Sequence, residues 1–340
     1  MKRTLLVLSF CFTGLLHAQS GSQQDLKKMV DEDLRSAVQQ YHLLITKVPA
    51  DSMPRSFNAA TGQLITSNTE WWTSGFFPST LWYLYEFSGD NDLKKAAEQK
   101  LAILEKEKYY TGNHDLGFMM FCSFGNAYRI TKDPAYKDVI LSAAQTLTKR
   151  YRPSIKAIQS WDSSAAFRCP VIIDNMMNLE LLEWAAANGG DQKLSEIAET
   201  HANTTIINHF RPDYSTWHVI DYDLQTGLPR AKKTAQGAAD SSSWARGQSW
   251  GLYGYTMMYR FTRKKSYLMQ ARHIADYLIH HPNLPADKIP YWDYNAPGIP
   301  DTYRDASAGA IMCSALLELS RFVSGKEKKE YLEIAKQQLV

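Results

Sequence analysis

The stretch "PVIIDNMMNLELLEWAA" at residues 170–186 places one aspartate, Asp174, in an apolar run. Apolar surroundings disfavour the charged form of a carboxyl group and therefore raise its pKa. A carboxyl group of this kind can act as a general acid and, once it has lost its proton, as a general base. Aspartate is also a favoured N-cap residue, and a helical pattern follows Asp174. From these residues alone, capping and catalysis both stay open, and the two roles are compatible.

Asp174 belongs to one of several polar or aromatic clusters, each of which comes just before an almost uncharged helical pattern. The clusters are "TEWWTSG" at 69–75, "TGNHDLGF" at 111–118, "IIDN" at 172–175, "AADSSSWARGQSW" at 238–250 and "PDTYRDASAG" at 300–309. The second cluster supplies another carboxyl group, Asp115, which is either an N-cap or a partner that raises the pKa of Asp174 further. Helix N-termini attract anions, so clusters that meet at one mouth suit an anionic ligand.

Other side chains in these regions have two interpretations each. Arg246 lies in a nearly uncharged helix and needs an anionic partner, which is either an aspartate of the protein or the ligand. Trp72, Trp161 and Trp250 are either core residues or platforms for a sugar ring, and their positions near the starts of the uncharged helices favour the second role. His218, taken alone, is expected to be structural.

The elements that must position these residues are helices of two kinds. Charged, amphipathic patterns occur at about 25–46, 91–107, 134–150, 190–209, 264–280 and 326–340. Patterns that are apolar on all sides alternate with them at about 76–87, 116–130, 175–187, 244–261 and 305–322. A helix that is apolar on all sides is buried, so the alternation predicts outer and inner helices in hairpins. We expect an all-α toroid, an (α/α)6 barrel that lacks its last inner helix in this chain, with strand signals only in connections such as 215–223.

The N-terminus is typical of a secretory signal. A basic "MKR", an apolar "TLLVLSFCFTGLL" and a small-residue region "HAQ" predict a signal peptide over residues 1–18. Residues 19–340 are then expected to form a single barrel domain. The expected location is the periplasm.

Composition and missing motifs exclude several function classes. The net charge is only +3 and there is no basic stripe, so no nucleic-acid partner is expected. The chain has no HExxH, GxSxG, Walker or GxGxxG motif, which disfavours redox, nucleotide and serine-hydrolase chemistry. We predict no metal site, no membrane-spanning helix and a monomer.

The motifs together resemble unsaturated glucuronyl hydrolases, glycoside hydrolase family 88. The resemblance rests on "WWTSGFFPSTLWYLYE", "HDLGFMM", "IIDNMMNLELLEWA", "AQGAADSSSWARGQSWGLYGY" and "PYWDYNAPGIPDTYRDASAGAI". It implies an (α/α)6 barrel without a metal or organic cofactor. The implied substrates are oligosaccharides left by polysaccharide lyases, with a 4,5-unsaturated uronic acid at the non-reducing end.

The resemblance also implies roles for residues of this chain. Asp174 matches the general acid/base of the family, which protonates C4 of the unsaturated sugar and activates the water that adds at C5. Asp115 matches its second essential aspartate. The implied substrate-binding residues are His218, Gln236, Arg246, Trp250, Trp72 and Trp161.

Two alternatives to a glycosaminoglycan-type hydrolase stay open from the sequence. One is an unsaturated rhamnogalacturonyl hydrolase, which acts on pectin fragments. The other is a toroid that binds sugar without catalysis.

Overall fold

The protein was analysed as a computed structural model that describes the backbone of residues 6–340 and the side chains of residues 24–340. The predicted signal peptide therefore lies outside the residues that are described in full. Within the described part, the outer helices are α1 (Leu6–Lys47), α3 (Asn91–Leu104), α5 (Pro134–Leu147), α7 (Lys193–His209), α9 (Lys265–Ile279) and α11 (Gly325–Leu339). The inner helices are α2 (Phe76–Ser88), α4 (Asn126–Thr131), α6 (Asn175–Ala187), α8 (Ala245–Thr262) and α10 (Ala306–Leu319). The predicted alternation of outer and inner helices is confirmed.

Caps explain why the outer helices start where they do. The Asp90 side chain accepts a hydrogen bond from the amide of Asp92 at the start of α3. Asp133 does the same for α5 by accepting from Ala135, and Pro134 occupies the first turn, where no amide donor is needed. α1 begins earlier than the predicted residue 25, and the segment before that position contains no proline to interrupt a helix.

The inner helices pack in chain order around the core, α2 against α4, α6 against α8 and α8 against α10. α6 and α8 approach so closely that a Cβ on Gly254 would lie 2.4 Å from Cβ of Met176. The second inner helix differs from the prediction, because α4 is preceded by a π-helix over Gly117–Gly125. π-helical turns are wider than α-helical ones and often occur at functional sites. This one begins two residues after Asp115.

Short strands lie in the segments that connect the helices. They are β1 (Met53–Asn58), β2 (Gln63–Ser67), β3 (Tyr151–Arg152), β4 (Ala157–Ile158), β5 (Pro170–Ile172), β6 (Val219–Tyr222) and β7 (Pro229–Lys233). β6 corresponds to the predicted strand signal at 215–223, and the others were not predicted. β5, β6 and β7 form an antiparallel sheet in which Ile172 pairs with Val219 and Val219 pairs with Lys233. This sheet lies directly before α6, so it positions the residues at the start of that helix.

No helix among the described residues combines the length and apolar character that a bilayer crossing requires.

Candidate active site

Asp174 lies where β5 ends and α6 begins. The amide of Ile173 donates to the carbonyl of His218 at 3.1 Å, which extends the pairing of β5 with β6. This pairing brings Asp174 and His218 together from distant parts of the sequence. Asp174 has right-handed helical backbone angles, and its side chain makes no capping hydrogen bond. Of the two roles that the sequence left open, capping is therefore wrong for Asp174, and its carboxyl group is buried for another reason.

A second ladder of backbone contacts positions Asp115. His114 donates its amide to the carbonyl of Ser160, and Ser160 donates its own amide to the carbonyl of Pro170 in β5. The chain segment before Asp115 is thus tied to the strand that leads into Asp174. The amide of Asp115 donates to Oδ1 of Asn113 at 2.9 Å, which fixes the turn before the π-helix.

Burial gives both carboxyl groups an unusual affinity for protons. Burial, reinforced by the negative charge of Asp174, raises the pKa of Asp115 to about 8. Burial also raises the pKa of Asp174 to about 7, although the positive charge of Arg246 opposes the rise. Two carboxyl groups that share a dry site do not ionise together at low free-energy cost. Near neutral pH the pair therefore keeps a proton that it can transfer.

Each aspartate faces a buried imidazole. Nε2 of His114 lies 3.4 Å from Oδ1 of Asp115, and Nε2 of His218 lies 3.6 Å from Oδ2 of Asp174. Burial lowers the pKa of each histidine to about 3, and the charge of Arg150 adds to the effect at His114. Both imidazoles are accordingly neutral at physiological pH. They are hydrogen-bonding groups rather than counter-ions.

Arg246, in the first turn of α8, is paired within the protein. Its guanidinium donates to Oδ2 of Asp305 at 2.6 Å and to Oε1 of Gln236 at 3.0 Å. It also lies over the ring of Trp244, 4.7 Å from the centroid. The anionic partner that the sequence required is thus Asp305. The positive charge of Arg246 still acts on Asp174, since it favours the ionised form of that carboxyl group.

Aromatic side chains form a small apolar cluster apart from the main core. Trp72, Phe118, Met177 and Trp250 pack together, and the Phe118 and Trp250 ring centroids are 4.8 Å apart. Trp72 and Trp250 also line a cleft of about 720 Å³ together with Arg246. A cleft with indole walls and a guanidinium suits a sugar ring that carries negative charge.

Trp161 lies beside this region without joining the cluster. Its backbone pairs with Asn113, two residues before Asp115. Its ring is partly exposed and packs edge-on against Phe167, with centroids 5.7 Å apart. Trp161 can therefore offer a ring face to a ligand near the aspartate pair.

The structure brings most of the predicted site residues into contact and adds others. Contacts and charge link Asp115, Asp174, His218, Gln236 and Arg246. Trp72 and Trp250 form the adjoining cleft wall. The residues that the sequence reasoning missed are His114, Trp244, Asp305 and Asp293, whose buried carboxylate accepts a hydrogen bond from the amide of Ala238. Each of them lies in or next to a quoted motif, so closeness in sequence to a predicted site residue could have identified them.

Among the side chains of residues 24–340, no three or more His, Cys, Asp or Glu gather in an arrangement that could hold a metal ion.

The chain matches no family model, but curated relatives are clear. It is 42% identical over 340 residues to an unsaturated glucuronyl hydrolase of Formosa agariphila, covering 98% of this chain and 84% of the relative. It is 32% identical to an unsaturated glucuronyl hydrolase of a Bacillus species, covering 84% of this chain and 77% of the relative.

A solved structure agrees with these relatives. The crystal structure of an unsaturated glucuronyl hydrolase specific for heparin superposes with a TM-score of 0.87 at 42% identity, covering 91% of this chain and 82% of that chain. This likeness extends to the (α/α)6 barrel. The chain belongs to the unsaturated glucuronyl hydrolases, a family of glycosidases.

Proposed function

We propose that this protein removes the 4,5-unsaturated uronic acid from the non-reducing end of glycosaminoglycan fragments that lyases have produced. The observation that carries the proposal is the placement of Asp115 and Asp174, each of which faces a buried imidazole in surroundings that raise the pKa of its carboxyl group. A single residue that serves as acid and then as base needs a pKa near the working pH. Asp174, with a pKa of about 7, meets that requirement.

The reaction begins with hydration of the C4=C5 double bond. The Asp174 carboxyl group gives its proton to C4, and positive charge develops at C5 and the ring oxygen. The Asp174 carboxylate then takes a proton from water as the water oxygen bonds to C5. The resulting C5 hemiketal opens to a ketone, and the hemiacetal left at C1 collapses to an aldehyde as it releases the aglycone alcohol. The sum is the addition of one water molecule and the loss of one glycosidic bond.

The surrounding residues have distinct parts in this scheme. Burial and the negative charge of Asp174 raise the pKa of Asp115 to about 8, so Asp115 stays protonated while Asp174 loses and regains its proton. Arg246 and Gln236 hold each other at the rim, where the substrate carboxylate approaches. Trp72 and Trp250 exclude water from the cleft wall and give the sugar rings an apolar face.

Relatives suggest which glycan is preferred. The structure at 42% identity is of an enzyme specific for heparin, whereas a relative at 36% identity from Streptococcus pneumoniae is an unsaturated chondroitin disaccharide hydrolase. We therefore expect heparin-derived unsaturated disaccharides to be the better substrates. Pectin-derived fragments, which an unsaturated rhamnogalacturonyl hydrolase accepts, are expected to react poorly.

The test follows the near-ultraviolet absorbance of the C4=C5 bond during incubation with lyase products of heparin, chondroitin, hyaluronan and pectin. Asp174→Asn should abolish the loss of absorbance while circular dichroism and the melting temperature stay close to those of the wild type. Asp92→Asn is a matched control, because Asp92 is exposed on the outer helix α3, where it pairs with Lys95. Wild-type turnover by Asp174→Asn would overturn the assignment. Binding without turnover of every glycan would instead support the sugar-binding toroid.

We also propose that the chain is exported to the periplasm. The support is the order of the basic "MKR", the apolar run and the "HAQ" region. N-terminal sequencing of the protein recovered from a periplasmic fraction should give a first residue near Gln19. Recovery of the intact N-terminus from the cytoplasm contradicts this proposal.

A further inference from the structure

The imidazole of His218 is held by a loop that leaves it only one way to carry its proton. Nδ1 accepts hydrogen bonds from the amides of Ala235 and Gln236, at 3.1 and 3.2 Å. An amide N–H can only donate, so Nδ1 must be the unprotonated nitrogen. The pKa of His218 is lowered to about 3 by burial, so the ring does not gain a second proton. The neutral ring therefore carries its hydrogen on Nε2.

The loop that makes this lock is itself fastened at several points. Oδ2 of Asp293 accepts from the amide of Ala238 at 2.9 Å and from the hydroxyl of Ser242 at 2.6 Å. The guanidinium of Arg211 donates to the carbonyls of Asp240 and Ser242. Asp293 is fully buried, which makes this fastening rigid. The amides that face His218 are accordingly fixed in place by the tertiary structure.

Nε2 of His218 points at the reacting carboxyl group. It lies 3.6 Å from Oδ2 of Asp174, and neither of these buried atoms has another hydrogen-bond partner among the side chains of residues 24–340 or the described backbone. Buried polar groups are nearly always paired, and a movement of a few tenths of an ångström completes this pair. The indole of Trp244 lies against the imidazole, 4.4 Å between centroids, and restricts its rotation.

We propose that loop 234–243 locks His218 as the Nε2–H tautomer, so that His218 is a positioning residue that donates to Oδ2 of Asp174 and leaves Oδ1 to carry the transferred proton. The catalytic meaning of this lock rests on the proposed function. His114 does not share it, because its Nδ1 faces the hydroxyl of Ser160, which can donate or accept. Of the two imidazoles that face the aspartates, His218 therefore has an enforced tautomer and His114 does not.

Other charged groups act on the same carboxyl group and must be separated from His218. The charge of Asp174 raises the pKa of Asp115, and the charge of Arg246 lowers the pKa of Asp174. His209 is close enough to lower the pKa of His218 and is itself kept neutral, because burial lowers its own pKa to about 4. A neutral donor at Oδ2 stabilises the carboxylate form, so removing the donor raises the pKa of Asp174. The two variants below separate this donor at Nε2 from the acceptor at Nδ1.

Two substitutions divide the functions of the imidazole. In His218→Asn, the amide oxygen can occupy the position of Nδ1 and accept from the loop, but no donor reaches Asp174. In His218→Gln, the amide nitrogen can occupy the position of Nε2 and keep the donor. We expect the Asn variant to move the basic limb of the kcat profile to higher pH by about one unit. The Gln variant should keep that limb close to its wild-type position.

Nuclear magnetic resonance tests the lock independently of turnover. In protein labelled with ¹⁵N-histidine, His218 should show a pyridine-like Nδ1 and a pyrrole-like Nε2. A ¹³C carboxyl titration, assigned with Asp174→Asn, should show the higher Asp174 pKa in His218→Asn but not in His218→Gln. A protonated Nδ1, or the same Asp174 pKa in all three proteins, overturns the inference. If no unsaturated glycan is cleaved, the proposed function fails, while the two resonance measurements still decide whether the lock exists.

Discussion

Gly117 packs against Asn178 so closely that a Cβ built on the glycine would lie 2.5 Å from Cα of Asn178. The amide of the next residue, Phe118, donates to Oδ1 of Asn178 at 2.9 Å. Gly117 follows Asp115 by two positions, and Asn178 follows Asp174 by four. This backbone contact therefore sets the spacing between the two carboxyl groups, and only glycine leaves room for it.

Gly117→Ala should lower activity by more than its loss of folding stability can explain. The added methyl group forces the start of the π-helix away from α6, which shifts Asp115 relative to Asp174. We expect kcat to fall by about 10- to 100-fold, because a displacement of about 1 Å between catalytic groups is enough to disturb their geometry. Overpacking should also cost about 1–3 kcal/mol in the free energy of unfolding. Steady-state kinetics and urea titration measure the two effects.

Gly251→Ala is the matched control for this substitution. Gly251 lies within α8, and a Cβ there would meet its nearest neighbour at an ordinary 3.6 Å. The higher helix propensity of alanine should stabilise this variant by about 0.5–1 kcal/mol. Its kcat is not expected to change. Equal kcat values for Gly117→Ala and Gly251→Ala would show that the contact does not position the aspartates.

The helices of this protein could be predicted because the spacing of apolar residues along the sequence shows which faces of each helix are buried. α6 was predicted at 175–187 and occurs at Asn175–Ala187, since a run such as "NMMNLELLEWAAA" is apolar on nearly all sides. The same pattern placed Asp174 immediately before an inner helix. Position along one helix is local information, and the local sequence was sufficient for it.

The contacts that give the site its chemistry were not predictable in this way. Arg246 and Asp305 are distant in sequence, and nothing near either residue indicates the other. The pairing of β5 with β6 likewise depends on three-residue and four-residue strands that are too short to show an alternating pattern. The facing of His218 and Asp174 follows from that pairing, so the sequence alone favoured a structural role for His218.

Asp305→Asn should shift the pH dependence of catalysis in the acid direction. Asp305 pairs with Arg246 and also caps α10, where its Oδ1 accepts from the amide of Ala308 at 2.9 Å. Asparagine is an equally good N-cap, so the substitution removes the charge and keeps the cap. The unneutralised charge of Arg246 then favours ionised Asp174 more strongly and lowers its pKa. We expect the basic limb of the kcat profile to move down by about half a pH unit.

Glu86→Gln provides a comparison for Asp305→Asn. It breaks another arginine–carboxylate pair, in which Arg129 donates to Glu86 at 2.6 Å on the exposed surface. Because this pair lies away from the aspartates, its loss should leave the pH profile unchanged. A basic limb that stays in place or moves up in Asp305→Asn contradicts the electrostatic role of the Arg246 pair.

Trp161→Ala should weaken substrate binding without changing the pH profile. The indole is partly exposed beside the segment that carries Asp115, and a flat apolar ring there can stack on a sugar. We expect KM to rise by about 3- to 10-fold with kcat nearly unchanged. Trp161→Phe, which keeps an aromatic face, should restore most of the affinity.

Trp184→Phe serves as the control for these tryptophan variants. Trp184 lies in a later turn of α6, where it packs against Phe121 and Tyr128 rather than in the cleft with Trp72 and Trp250. Its KM should match that of the wild type even if the melting temperature falls. A wild-type KM for Trp161→Ala would remove Trp161 from the binding site.

The buried carboxyl groups should make the fold less stable as pH rises. The pKa of Asp115 is about 8 in the folded protein, against an ordinary value of 3.8. A folded-state pKa above the unfolded value means that the folded state binds the proton more tightly. The contribution of the Asp115 proton to the free energy of unfolding is complete below about pH 4 and is lost as the pH rises towards 8. Removing the ionisable group should therefore raise stability at the alkaline end of this window.

Asp115→Asn should be more stable than the wild type at pH 8, by an amount on the order of 2–4 kcal/mol, although it loses activity. Urea titrations from pH 5 to pH 8 measure the change, and the slope of unfolding free energy against pH should be smaller in the variant. Glu183→Gln is the control, because burial raises the pKa of Glu183 to about 7. Glu183 lies outside the site and accepts a hydrogen bond from the hydroxyl of Ser195. That variant should also lose part of the pH slope but keep wild-type kcat. Identical slopes in Asp115→Asn and the wild type would mean that folding does not raise the pKa of Asp115, which contradicts the prediction.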